Sequence, residues 1–270
     1  MELRFEKYQG LGNDFLVVDV PGLRLEPDQV VALCDRHLGV GADGVLFTGL
    51  ESGRPFMRVI NADGSEPQMC GNGLRCVALH LARTGQVPDS EYQVDTGAGP
   101  HRVQRVESAL IRVGMRPPSL EPIDLPLASA APWIDEPVDL LGETLRLTAV
   151  SMGNPHAVTF DEVGERRLRL GPALEVDPRF PERVNVGFAR MGDGGMALDV
   201  WERGCGWTRA CGTGACAAAV AAVETGRAPR GEDLSVTLPG GALVVRVGAR
   251  GAPVWMTGPA RHVFAGVVTL

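Results

Sequence analysis

Residues Cys211–Ala219 read CGTGACAAA, and Cys70–Ala78 read CGNGLRCVA. In both, a cysteine and two glycines precede a run of small or apolar residues, which reads as a helix with a thiol at its start. An offset of 141 residues relates the two cysteines, and the same offset holds elsewhere without a gap. Gly12-Asn13 in GLGNDF falls on Gly153-Asn154 in SMGNPH, Thr84-Gly85 falls on Thr225-Gly226, and Thr96 and Gly99 fall on Thr237 and Gly240. A register kept by several landmarks marks an internal repeat. Two copies predict a pseudo-symmetric pair of domains, residues 1–117 and 118–260, with the closing stretch 261–270 as a candidate last strand of the first. The Pro-rich segment Met115–Trp133 marks the border.

The chain has 270 residues, enough for two domains that each bury a core. A formal net charge of −7 and pI near 5.3 leave no basic stripe for nucleic acid or an anionic membrane. Uninterrupted apolar runs such as Ala215–Val223 are far shorter than the roughly 20 residues of a spanning helix. The opening MELRFEKYQG alternates charge with hydrophobes like an edge strand and lacks a signal-peptide core, so a cytoplasmic protein is expected. The six cysteines match no common metal spacing and are expected to be reduced thiols, with no metal. Lys7 is the single lysine beside 25 arginines, so a pyridoxal phosphate Schiff base would have to form there. The lysine count nearly excludes that cofactor.

Short alternating runs bounded by Gly, Pro and Asp predict many strands: FLVVDV, GVLFTG, FMRVIN, YQVDTG, LIRVGM, LRLTAV, HAVTF, NVGFARM, MALDVWERG, LSVTL, ALVVRVG and PVWMTG. PDQVVALCDRHLG predicts an amphipathic helix ending at Gly39, and ERRLRLGPALEVD a short one. LRCVALHLARTG and ACAAAVAAVETG are apolar or small on nearly every face, as helices buried all round are. The predicted fold class is α/β of the α+β type, in which each domain wraps a curved, mostly antiparallel sheet around one central helix. Facing domains would point both helix N-termini and both thiols into the cleft between them.

The first N–H groups of a helix lack intrahelical partners, and the macrodipole places about half a positive charge there. Cys70 and Cys211 are therefore expected to ionise near neutral pH. The bare N–H groups of their glycine turns can also cradle a carboxylate. Either cysteine alone could be space-filling; two at the repeat offset point to chemistry. Cys34, Cys76 and Cys216 sit in apolar helical stretches as core residues, whereas Cys205 lies in the polar loop WERGCGWTRAC. Two acid/base thiols on opposite sides of a bound carboxylate suit removal of a proton from one face of the adjacent carbon and delivery to the other. Asn61 and Glu202, each nine positions before its cysteine, would rim that cleft.

The motifs GLGNDF, GVGADG, NADGSEPQMCGNGLRC, SMGNPHAV, RVNVGF and ERGCGWTRACGTGACAA resemble, in order and over the whole chain, the diaminopimelate epimerases. These are cofactor-independent enzymes of bacterial lysine and cell-wall precursor synthesis. The resemblance implies that Cys70 and Cys211 are the acid and base, and that N–H groups of Gly71-Asn72 and Gly212-Thr213 hold the α-carboxylate. Asn13, Asn61, Asn154, Asn185, Glu202 and Arg203 would read the polar ends of a small amino-acid substrate, with the Arg203 fork suited to a distal carboxylate. His156 would lie beside the site, either tuning the thiols or serving as a hydrogen-bonded loop histidine. The family also suggests a homodimer. There are departures: Gly44 stands where some members carry glutamine, Cys205 where a smaller residue such as alanine is often found, and Trp201 and Trp207 add bulk around Glu202-Arg203. Alternatives are a proline racemase-like enzyme, which would lack the Glu-Arg pair, a redox pair of Cys70 and Cys211, and a binding module.

Overall fold

The computed structural model describes residues 1–88 and 90–270. The chain divides into two compact units, Met1–Gly114 with Thr257–Leu270, and Met115–Met256. The first contains β1 (Glu2–Gly10), β2 (Asn13–Asp19), α1 (Pro27–Cys34), β3 (Gly44–Glu51), β4 (Arg54–Asn61), α2 (Gly71–Arg83), β5 (Tyr92–Thr96), β6 (Gly99–Arg105) and β7 (Leu110–Gly114). The second contains β8 (Glu136–Leu140), β9 (Glu143–Ser151), β10 (Pro155–Thr159), α3 (Arg167–Glu175), β11 (Asn185–Gly192), β12 (Gly195–Glu202), β13 (Gly206–Trp207), α4 (Gly212–Glu224), β14 (Asp233–Leu238) and β15 (Gly241–Val247). β16 (Val254–Pro259) returns the chain to the first unit, where β17 (Arg261–Thr269) pairs with β1.

The repeat is visible in boundaries and in pairing. Moving β1, β3, β4 and α2 by 141 positions lands on β9, β11, β12 and α4, end for end. In the first unit β1–β2 is antiparallel, β2–β3 parallel, β3–β4 antiparallel, β4–β5 parallel and β5–β6 antiparallel. The second repeats that alternation through β9–β10, β10–β11, β11–β12, β12–β14 and β14–β15. Each sheet curls around its central helix. α2 touches β1, β2, β3, β4, β6, β7 and β17, and α4 touches β9, β10, β11, β12, β14 and β15. This is the α+β architecture of two like domains that the sequence predicts.

Burial explains why both helices are so apolar. Leu74, Cys76, Val77, Ala78 and Leu81 of α2 are wholly enclosed, as are Ala215, Cys216, Ala217, Ala218 and Ala219 of α4. Each stops in the same way. Thr84 and Thr225 turn their hydroxyls back onto the carbonyls of His80 and Ala221, and Gly85 and Gly226 then take φ near +70°, where a side chain would be strained. On the other face of each sheet lies a second apolar layer. In the first unit Leu16, Val18, Val45 and Phe47 pack with Val30 and Leu33 of α1; in the second Leu147, Ala157 and Val186 pack with Leu170 and Leu174 of α3. Full burial of a Leu, Val or Phe side chain contributes about 1.5–3 kcal/mol, so these layers hold α1 and α3 in place.

Two sequence expectations are corrected. MELRFEKYQG is not an edge strand, because β1 is flanked by β2 and β17. The first amphipathic helix ends at Cys34 rather than Gly39. Asp35 accepts N–H bonds from His37 and Leu38, and the chain turns back so that Val40 and Gly41 donate to Leu33. A Cβ on Gly39 would lie 2.2 Å from the Ala32 carbonyl oxygen, so only glycine permits this return. Among the described residues no helix is long and apolar enough to cross a membrane.

Candidate active site

Cys70 is the N-cap of α2 and Cys211 the N-cap of α4, both in extended backbone conformation. Each sulfur accepts the N–H three residues on, from Gly73 and Gly214, at 3.3 Å. The thiols thus do what serine or threonine commonly does at a helix start. Glycine is needed at the third position for space as well. A Cβ on Gly73 would come within 2.9 Å of Leu46, and one on Gly214 within 3.1 Å of the Cys211 sulfur. The same turns expose Gly71 and Thr213 in part, and Gly212 is buried.

The surroundings of Cys211 overturn the expectation that it ionises near neutral pH. Its side chain is only 4% exposed. Burial pushes the thiol well above its ordinary range, and the Glu202 carboxylate adds to the rise. The Thr213 hydroxyl, 3.6 Å away, and the Gly214 N–H act in the opposite direction without offsetting it. Desolvation opposes the helix terminus here and favours the protonated thiol. Cys34 and Cys76 are pushed up to about 11 and about 12, mainly by burial, in keeping with core roles.

In the first unit the predicted asparagines meet around the start of α2. Asn72 donates to Asn13 at 3.3 Å and accepts from the buried Arg75 at 2.8 Å. Asn13 in turn donates to Asp43, whose other oxygen receives Arg36. Lys7 pairs with Asp14 and reaches the Gly41 carbonyl. Asn61 ends β4 and donates to Ser65 at 3.0 Å. Gly44 has no space for a side chain, since a Cβ would meet the Ile60 carbonyl oxygen at 2.6 Å.

In the second unit Asn154 donates to Thr213 at 3.4 Å, in the repeat position of the Asn13–Asn72 contact. His156 lies inside β10 rather than in a loop and is 1% exposed. Burial, reinforced by the Arg203 charge, depresses its pKa to about 3. A neutral ring 3.1 Å from Asn154 Oδ1 carries its proton on Nε2 and donates it there. Asn185 bridges the Pro155 carbonyl and the Arg203 N–H. Glu202 accepts from Thr208 at 2.5 Å, and the exposed Arg203 donates to the Glu182 carbonyl at 2.9 Å.

His156 has a consequence for stability. Between about pH 6.5 and pH 3 the unfolded chain binds a proton at this position that the folded chain does not. Stability therefore falls with acid through that window, by up to about 1.4 kcal/mol per pH unit. His156→Gln should lose less stability between pH 7 and pH 5 than the native chain, as read by urea unfolding at both values. Equal losses would show that the folded chain accepts the proton.

Sequence reasoning singled out neither Asp43, which holds Asn13, nor Arg75, which holds Asn72, although both lie inside quoted motifs. It also passed over Glu175, whose carboxylate receives the Trp201 indole and the Gly204 N–H.

The sequence profile of the family described as Diaminopimelate epimerase matches residues 5–120 and again 148–263. A diaminopimelate epimerase from a Synechocystis species is 46% identical over 98% of this chain and 99% of its own length. One from a Synechococcus species is 48% identical, covering 98% and 97%. Among solved structures, a PhzF-family phenazine biosynthesis protein from Bacillus anthracis superposes with a TM-score of 0.70 at 17% identity, covering all of both chains. A hydroxyproline epimerase from Agrobacterium vitis gives 0.68 at 17% identity, covering 100% of this chain and 93% of that one. These two share the fold. With the profile matched in both repeats and near-full-length identity to curated members, the chain belongs to the diaminopimelate epimerase family.

Proposed function

We propose that this protein is an isomerase that interconverts LL- and meso-diaminopimelate without a cofactor, in the cytoplasmic synthesis of lysine and peptidoglycan precursors. The observation that carries this reading is the pair of cysteine N-caps in a chain 46–48% identical to diaminopimelate epimerases over nearly its whole length. One thiolate removes the α-proton and the other thiol protonates the opposite face. The high affinity of Cys211 for its proton suits it to the donor role when Cys70 is the base. The N–H groups of Gly71-Asn72 and Gly212-Thr213 hold the α-carboxylate, and they stabilise the negative charge that develops there as the C–H bond breaks. Asn13, Asn61, Asn154 and Asn185 serve the polar ends with Glu202, and Arg203 takes the distal carboxylate as a two-donor fork. His156 acts by holding Asn154. A homodimer is the proposed assembly. The proline racemase-like alternative loses support, because the hydroxyproline epimerase shares the fold at 17% identity while the closely similar relatives are diaminopimelate epimerases.

Turnover in D2O tests the two-thiol step. A thiol carries one proton, so the hydrogen taken and the hydrogen given differ. The donor has exchanged with solvent, and product should carry deuterium from the first turnover while early recovered substrate remains largely unlabelled. Substantial transfer of the substrate's own hydrogen into early product would refute two bases.

A further inference from the structure

Glu175 occupies an unfavourable place for a carboxylate. It is the last residue of α3, where the helix dipole repels negative charge, and it is only 7% exposed. Its bonding partners lie in other segments. Oε2 accepts the Trp201 indole N–H at 2.6 Å, Oε1 accepts the Gly204 N–H at 2.8 Å, and Arg183 approaches Oε1 at 3.7 Å. Trp201 and Gly204 bracket Glu202-Arg203. These two residues open a tight turn closed by Cys205 N–H to Glu202 carbonyl at 3.0 Å, with Gly204 at φ +77°. Asn185 takes the remaining N–H of the turn, from Arg203. α3 also seats the indole from below, where a Cβ on Gly171 would be 3.1 Å from Trp201 Cβ.

The other repeat supplies an internal comparison. At the offset of 141, Glu175 corresponds to Cys34 and Arg203 to Ala62. The unit without a turn-borne arginine also lacks the carboxylate beneath the turn. We propose that Glu175 is a positioning residue that fixes the Glu202–Arg203 turn through Trp201 and Gly204, and so sets the reach of the Arg203 guanidinium to the distal carboxylate of the substrate. This rests on the reading of Arg203 given above.

The test is a double-mutant cycle in the full chain, with KM and kcat measured for LL-diaminopimelate. Glu175→Gln keeps the shape of the side chain but turns an N–H group toward one of its two donors. It should raise KM by about tenfold or more with a smaller change in kcat, since misplacement of a binding group by even ~1 Å has large kinetic effects. In an Arg203→Ala background the same change should alter KM by less than about twofold, because the group it positions is gone. An unchanged KM in Glu175→Gln, or an equal rise in both backgrounds, would overturn the proposal. If Glu175→Gln does not fold, Trp201→Phe removes one arm of the clamp and should raise KM in the same direction; no rise there overturns it. An Arg203→Ala enzyme with native kcat/KM would instead refute the reading of Arg203 itself. That result is distinct from a defective Arg203→Ala beside a silent Glu175→Gln.

Discussion

Replacing Cys211 with serine is expected to lower kcat for diaminopimelate epimerisation by about 10³-fold or more, and Cys70→Ser by a similar factor. A serine hydroxyl ionises far too weakly to take a proton from carbon, and general acid–base groups contribute roughly 10²–10⁴-fold each. The fold should survive both changes. Serine is a preferred N-cap, and its oxygen can accept the Gly214 or Gly73 N–H that the sulfur now accepts. Chiral analysis of product alongside a thermal melt separates the two effects. A serine variant that melts like the native chain yet keeps a tenth of its turnover would remove that cysteine from the chemistry.

Arg203→Ala should be the next most damaging change, lowering kcat/KM by roughly 10–150-fold. The guanidinium is exposed and donates to the Glu182 carbonyl, a bond whose loss costs little to folding. What disappears is the charge-assisted bonding to the distal carboxylate, worth about 1.5–3 kcal/mol in all. Arg203→Lys should recover only part, because an ammonium cannot present two parallel donors. Steady-state kinetics with diaminopimelate decide the matter. An unchanged kcat/KM in the alanine variant would point to a smaller amino acid as substrate.

The repeat was legible because its landmarks are residues with local backbone demands: Cys-Gly-x-Gly at the helix starts and Thr-Gly at their stops. The alternating strands were legible for a similar reason, since sheet periodicity is a local property. Strands β6 and β8 were not, because GPHRVQR and EPVDL are polar or interrupted by proline, and their apolar side reduces to residues such as Val103 and Val138. The edge reading of β1 failed on a partner about 260 residues away. The site was legible as far as motifs reach. Glu175 escaped because nothing near it in sequence shows that Trp201 and Gly204 come to rest on it. The protonation of Cys211 escaped for a different reason: helix polarity can be read from spacing, but the loss of water around a sulfur depends on everything that encloses it.

The pairing of β1 with β17 imposes an order in time. Leu3 and Phe5 of β1 belong to a core that Val268 and Leu270 complete, and the edge of β1 opposite β2 is filled by β17. On a ribosome the first unit must therefore wait, its sheet open on one side, while residues 115–256 are made. At ~5–20 residues per second that interval is roughly 7–28 s. The second unit is one uninterrupted segment and can close its sheet as soon as it emerges, so the half synthesised first is the half finished last. An unpaired strand edge of this kind recruits other chains, and a chaperone that shields nascent β1 would protect this protein more than one acting after release.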